Sequence, residues 1–159
     1  MLDRKEVSLI LERLVPATGL PGWPGGYEGD RRFELSVIFT SFDATIVALK
    51  MAAALASGLR ARITLVVPQV VPYPLPLENP QVVLEFTQKR LGEVASDIPV
   101  ETTIRHYLCR DRLVTLSAVL KPGSIVVIGS HKKWSPTREK ILARRLRRFG
   151  HDVFLTETT

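Results

Sequence analysis

The chain has 159 residues, 45% of them hydrophobic and 24% charged, which suits one compact domain with a proper core. A single cysteine, Cys109, excludes an intrachain disulfide framework, and three scattered histidines give no zinc-ligand spacing. The net charge of +6 is uneven: residues 132–148 hold eight basic residues and one acidic one, the remainder 14 basic and 15 acidic, so an electrostatic partner is to be sought in that segment.

The N-terminus opens with Asp3, Arg4, Lys5 and Glu6 and lacks an apolar signal core. Residues 3–14 read as a short amphipathic helix, with Val7, Ile10, Leu11 and Leu14 at helical spacing. From Pro16 to Gly29 the chain is rich in proline and glycine, which predicts a linker or surface arm pinned by Trp23 and Tyr27. Residues 1–33 thus form an extension, and 34–159 the α/β domain.

The core begins at Glu34. Leu35 to Phe39 is a β-branched and aromatic run and reads as a strand. Ala44 to Ser57 is an Ala/Leu-rich helix stopped by Gly58. Ile63 to Val67 is a second strand, ended by Pro68, with a proline-studded excursion to residue 80. A helix follows over Gln81–Ser96, a third strand over Val100–Leu108, and a short helix over Arg112–Leu120. Ser124–Ile128 is the fourth strand, Pro136–Phe149 the last helix and Val153–Thr156 the fifth strand. This alternation predicts an open five-stranded parallel sheet with helices on both faces. No apolar run has bilayer length, since even Met51–Leu59 is short and ends at Arg60; a cytoplasmic protein is the expectation.

The most informative stretch is Ile125-Val126-Val127-Ile128-Gly129-Ser130-His131-Lys132-Lys133-Trp134-Ser135-Pro136. It reads as a buried strand, a glycine turn, a lysine loop and a helix start. Ligands of open α/β sheets bind at the carboxyl ends of strands, and a helix N-terminus there favours anions. Ser135 is the expected helix cap and Pro136 the first helical residue. Gly129, Ser130, His131, Lys132, Lys133, Ser135 and Arg138 are the candidate anion-binding residues, with Thr40, Ser41 and Asp43 on the opposite wall and the backbone near Val67 on the third side. Lys140, Arg144, Arg147 and Arg148 fall on the face of the last helix opposite Leu142, Leu146 and Phe149, a solvated face or a partner surface. No catalytic constellation stands out. Ser130 lacks the nucleophile-elbow pattern, and His131 has no partner in the sequence that would make it a base.

Over residues 34–157 this order, the Ala-rich first helix, the long connection after the second strand and above all Val126-Val127-Ile128-Gly129-Ser130-His131 resemble the universal stress protein superfamily. Lys132–Glu157 also resembles the corresponding domain of potassium-sensing histidine kinases. The resemblance implies a nucleotide-binding-type fold, a homodimer formed through Val153–Thr156, and a role in stress response or signalling. ATP-binding members carry an Asp after the first strand, where this chain has Thr40 with Asp43 displaced. Of their Gly-x-x-Gly-x9-Gly-Ser/Thr pattern, Gly129 is kept, while Lys132, Leu142 and Ala143 fill the other places. Side chains therefore stand where backbone must approach a triphosphate. The expected function is a non-enzymatic module binding a small anionic ligand or a partner protein. An adapted ATP- or AMP-binding site stays open, as does an interaction protein whose basic helix docks an anionic surface; nucleic acid lacks the usual supporting module.

Overall fold

The computed structural model describes residues 7–16, 33–59, 61–75, 77, 84–132 and 137–158. The Pro/Gly arm from residue 17 on, with Trp23 and Tyr27, and the loop residues Lys133, Trp134, Ser135 and Pro136 lie outside these, as do residues 3–6 of the expected first helix and 81–83 of the third.

Ten elements follow one another: β1 (Val7–Val15), β2 (Glu34–Ile38), α1 (Phe42–Leu59), β3 (Arg62–Val70), α2 (Leu84–Ser96), β4 (Thr102–Cys109), α3 (Arg112–Val119), β5 (Ile125–His131), α4 (Arg138–Arg148) and β6 (Asp152–Thr158). They build one six-stranded sheet in the order β1-β4-β3-β2-β5-β6. Five strands, β2 to β6, run parallel, and β1 is antiparallel to β4. The sheet is therefore mixed and not the five-stranded parallel sheet the sequence predicts.

The difference lies in β1. Its apolar residues satisfy a helical spacing, but a short apolar run does not separate helix from strand. The edge of β4 offers a row of unpaired backbone groups, and Val7–Val15 takes them up along almost its whole length, with a bulge between Leu9 and Leu11. Val15 is buried, Glu12 meets Arg105 at 3.6 Å, and the Arg13 guanidinium lies over Gly92 of α2. A β-carbon on Gly92 would stand 2.7 Å from that guanidinium, which gives this mid-helix glycine a packing reason.

α1 and α2 cover one face of the sheet. Alternate residues Leu35, Val37, Ile63, Leu65, Val67, Ile104 and Val127 meet Ala48, Leu49, Ala52, Ala56, Leu91 and Ala95. On the other face Ile38, Val66, Tyr107, Val126, Ile128 and Val153 meet Leu116, Leu142, Ala143 and Leu146 of α3 and α4. With 18 residues and mean hydropathy 1.5, α1 is long and apolar enough to cross a membrane by length and composition. The apolar run expected over Met51–Leu59 is thus the second half of a longer apolar helix. Its buried residues are nevertheless the alanine-rich stripe that lies on the sheet.

Two strands, β3 and β5, run three residues past their expected ends. β3 continues through Pro68 to Val70, because beyond Val66 only β4 is hydrogen-bonded beside it and a proline is tolerated as on an edge. β5 continues through Gly129 and Ser130 to His131, paired throughout with β6. The expected glycine turn after Ile128 is therefore strand.

Candidate functional site

Chain order runs outward from β2 through β3 to β4, then returns to place β5 and β6 on the other side of β2. The reversal between β2 and β5 is where an open α/β sheet forms a crevice at its carboxyl edge. Several expected site residues meet there.

After β2, the Thr40 hydroxyl donates to the Gly129 carbonyl at 3.0 Å, and the Thr40 amide donates to Thr45 Oγ1. Ser41 Oγ accepts from the Ala44 amide at 3.3 Å, capping α1. It also stands 3.4 Å from His131 Nε2, while His131 Nδ1 lies 3.1 Å from Thr158 Oγ1. His131 thus joins the end of β6 to the start of α1. Asp43 is exposed in the first turn of α1, and Lys132 is exposed just past β5.

Other expected roles are corrected by the geometry. Gly129 faces α1, where a β-carbon would meet the Ala44 carbonyl oxygen at 2.0 Å; the glycine admits a helix, not a phosphate. Val67 is 2% exposed within β3 and presents no wall to a crevice. The cap of α4 is Thr137, whose hydroxyl accepts from the Lys140 amide at 3.3 Å. The helix starts at Arg138, two residues later than the sequence suggests. In the expected partner surface, Lys140 pairs with Glu157 at 3.4 Å and Arg147 donates to the Val153 carbonyl at 2.8 Å, which ties both to β6. Arg144 and Arg148 stay exposed. Phe149, expected in the core stripe, is also exposed.

The residue that sequence reasoning missed is Arg112. It opens α3, its Nη2 donates to the Phe39 carbonyl at the end of β2 at 2.9 Å, and its Nε is buried without a hydrogen-bond partner among the described residues. Burial lowers its pKa, partly opposed by the charge of Glu139 in the first turn of α4; Arg138 acts in the same sense as burial. Arg112 therefore sits where the starts of α3 and α4 approach β2. Ser130, at the carboxyl end of neighbouring β5 and on the same face as Ile128, is fully buried, and its hydroxyl too has no partner among the described residues. Buried polar groups are almost always satisfied, so two unpaired donors at one edge of the sheet are informative. The sequence signal was only the Asp111-Arg112 pair opening a helix after a strand.

Cys109 ends β4 on the sheet. Its thiol donates to the Gln69 carbonyl at 3.6 Å, and burial pushes its pKa up, so it is a poor nucleophile despite its arginine neighbours. Among the described residues no group of three His, Cys, Asp or Glu side chains is placed to hold a metal.

A polar concavity of about 490 Å³ lies at the opposite, amino edge, lined among others by Glu34, Ser36, Thr64, Arg105, Tyr107 and Lys121. It exists because α3 is eight residues long, roughly 12 Å, and leaves the first half of β2, β3 and β4 bare. Glu34 accepts from Thr64 Oγ1 at 2.5 Å and from Lys121 Nζ at 3.1 Å. Burial opposes its charge, but those hydrogen bonds and the charges of Lys121 and Arg105 prevail and hold the carboxyl below its usual range.

No protein-family model matches this sequence, and no curated protein matches it.

Proposed function

We propose that this chain is a binding module of the universal-stress type, acting in stress response or signalling, which takes a small oxyanion-bearing ligand at the carboxyl edge between β2 and β5. The observation that carries this reading is the pair of buried donors there, Arg112 Nε and Ser130 Oγ, that have no partner among the described residues. Leaving a buried donor unpaired costs about 1–3 kcal/mol, and a phosphate or carboxylate supplies acceptors for both. Lys132 and Arg138 add exposed positive charge, and the start of α4 adds the positive end of its dipole. Glu139 offsets part of that potential. The strand order supports the placement, because the reversal point is where such sheets bind ligands. The glycine departures and the burial of Gly129 under α1 favour a ligand held by side chains over a triphosphate wrapped by backbone. As part of the same proposal the chain pairs with a second copy along Val153–Thr156, which lie in the edge strand β6.

Thermal unfolding against phosphate, AMP, ATP and cyclic dinucleotides tests the site, since a ligand of the folded state raises the midpoint. A phosphate-bearing ligand is expected to raise it in the wild type and not in Arg112→Gln. Flat curves across the panel count against the site. A response confined to adenine nucleotides makes it an adapted nucleotide site.

A further inference from the structure

We infer that the outward face of α4 is a docking surface for an anionic lipid bilayer, independently of the ligand reading above. Leu142, Ala143 and Leu146 turn one side of the helix onto the sheet. With those three inside, a turn of 3.6 residues places Ile141 near the middle of the outward face. Arg144 and Arg148 flank it on one side, Arg138 and Arg145 on the other. All four arginines are exposed, and among the described residues none of Arg144, Arg145 and Arg148 takes part in an ion pair. Ile141 is 44% exposed and Phe149, just past the helix, 58%.

The charge identifies an anionic partner, and the apolar residues choose between kinds of anion. A surface that only neutralises phosphates along a duplex has no use for an isoleucine ringed by arginines. A helix lying in a membrane interface needs both: apolar side chains that enter the headgroup boundary, and cations that meet anionic headgroups. The neighbouring α3, on the same face of the sheet, adds exposed Val114 and contains no acidic residue. The pairing of Lys140 with Glu157 and of Arg147 with Val153 leaves the arginines nearest Ile141 as the outward charge.

Co-sedimentation of the full chain with phosphatidylcholine vesicles, with and without phosphatidylglycerol, tests this. Binding is expected only to the anionic vesicles and to weaken as salt shortens the screening length. Each basic residue near such a surface adds roughly fivefold to partitioning, so Arg144→Glu with Arg148→Glu should lower it by roughly twentyfold or more. Ile141→Ser, at an exposed site, should weaken vesicle binding while the unfolding midpoint stays put. Absence of binding to anionic vesicles by folded protein overturns the inference. So does vesicle binding that Ile141→Ser leaves unchanged. Tight binding to a random DNA duplex with no vesicle binding also overturns it and assigns the face to nucleic acid.

Discussion

The α-carbon of Gly129 on β5 rests against the backbone carbonyl of Ala44 in the first turn of α1, so closely that a β-carbon would come within 2.0 Å of the oxygen. The same turn is held by Ser41, which caps α1 and reaches His131, and by Thr40, which donates to the Gly129 carbonyl. The junction between β2, α1 and β5 is therefore one packed unit. Its glycine is required by helix approach, and Ser130 and Arg112 lie on the opposite face of the sheet.

Gly129→Ala should destabilise the fold by about 3 kcal/mol, at the upper end of overpacking costs, because the obstacle is backbone and cannot rotate away. Urea unfolding of the variant checks this. A loss below about 1 kcal/mol would mean that α1 lifts off β5 readily.

Ser130→Ala should leave stability unchanged or raise it by about 1 kcal/mol, since the removed hydroxyl is buried without a partner among the described residues. The same variant should lose part of the midpoint shift produced by phosphate ligands. Stability gained with response lost is the mark of a polar group retained for a ligand. A destabilised variant with an intact response would make Ser130 structural.

His106 predicts a pH dependence. It is fully buried, with Nε2 2.8 Å from Gln69 Oε1 and Nδ1 without a partner among the described residues, and burial lowers its pKa from 6.5. Well above 6.5 the ring is neutral in both states and costs nothing. As pH falls through 6.5 the unfolded chain takes up the proton first, so stability declines until the lower folded value is passed. Unfolding midpoints between pH 7.5 and about 5 should fall in the wild type and much less in His106→Gln.

Glu34 acts in a lower window. Its folded pKa is held below 4.5, so its contribution is complete above that value and is lost as pH falls below it. Its side chain is 32% exposed, so Glu34→Gln should cost under about 1 kcal/mol at neutral pH. The variant should also flatten the acid slope only below pH 4.5 and leave the slope above it as in the wild type, which chemical denaturation on either side of that pH checks.

Removing residues 1–16 should expose the long edge of β4, which β1 covers from Thr102 to Cys109. Lower stability together with concentration-dependent association, read by light scattering, is expected. A truncated chain that stays monomeric and equally stable would show β1 to be dispensable.

The sequence by itself determined the parallel core and its alternation. Leu35, Ile63, Ile104 and Val127 lie in runs bounded by turn residues, and the helices between them carry an apolar stripe, so period and punctuation agree. It also located the basic character of α4. Three things were decided only in three dimensions. Val7–Val15 became a strand because a free β4 edge lay nearby, and no local pattern reports an edge 87 to 102 residues further along the chain. Gly129 became a packing residue because Ala44 crosses it. Arg112 and Ser130 came to one edge, each with one buried polar atom that has no partner among the described residues, because β2 and β5 are neighbours in space and not in sequence. Local periodicity reports which way a side chain points; what it meets there is set by long-range pairing, and the candidate site is made of such meetings.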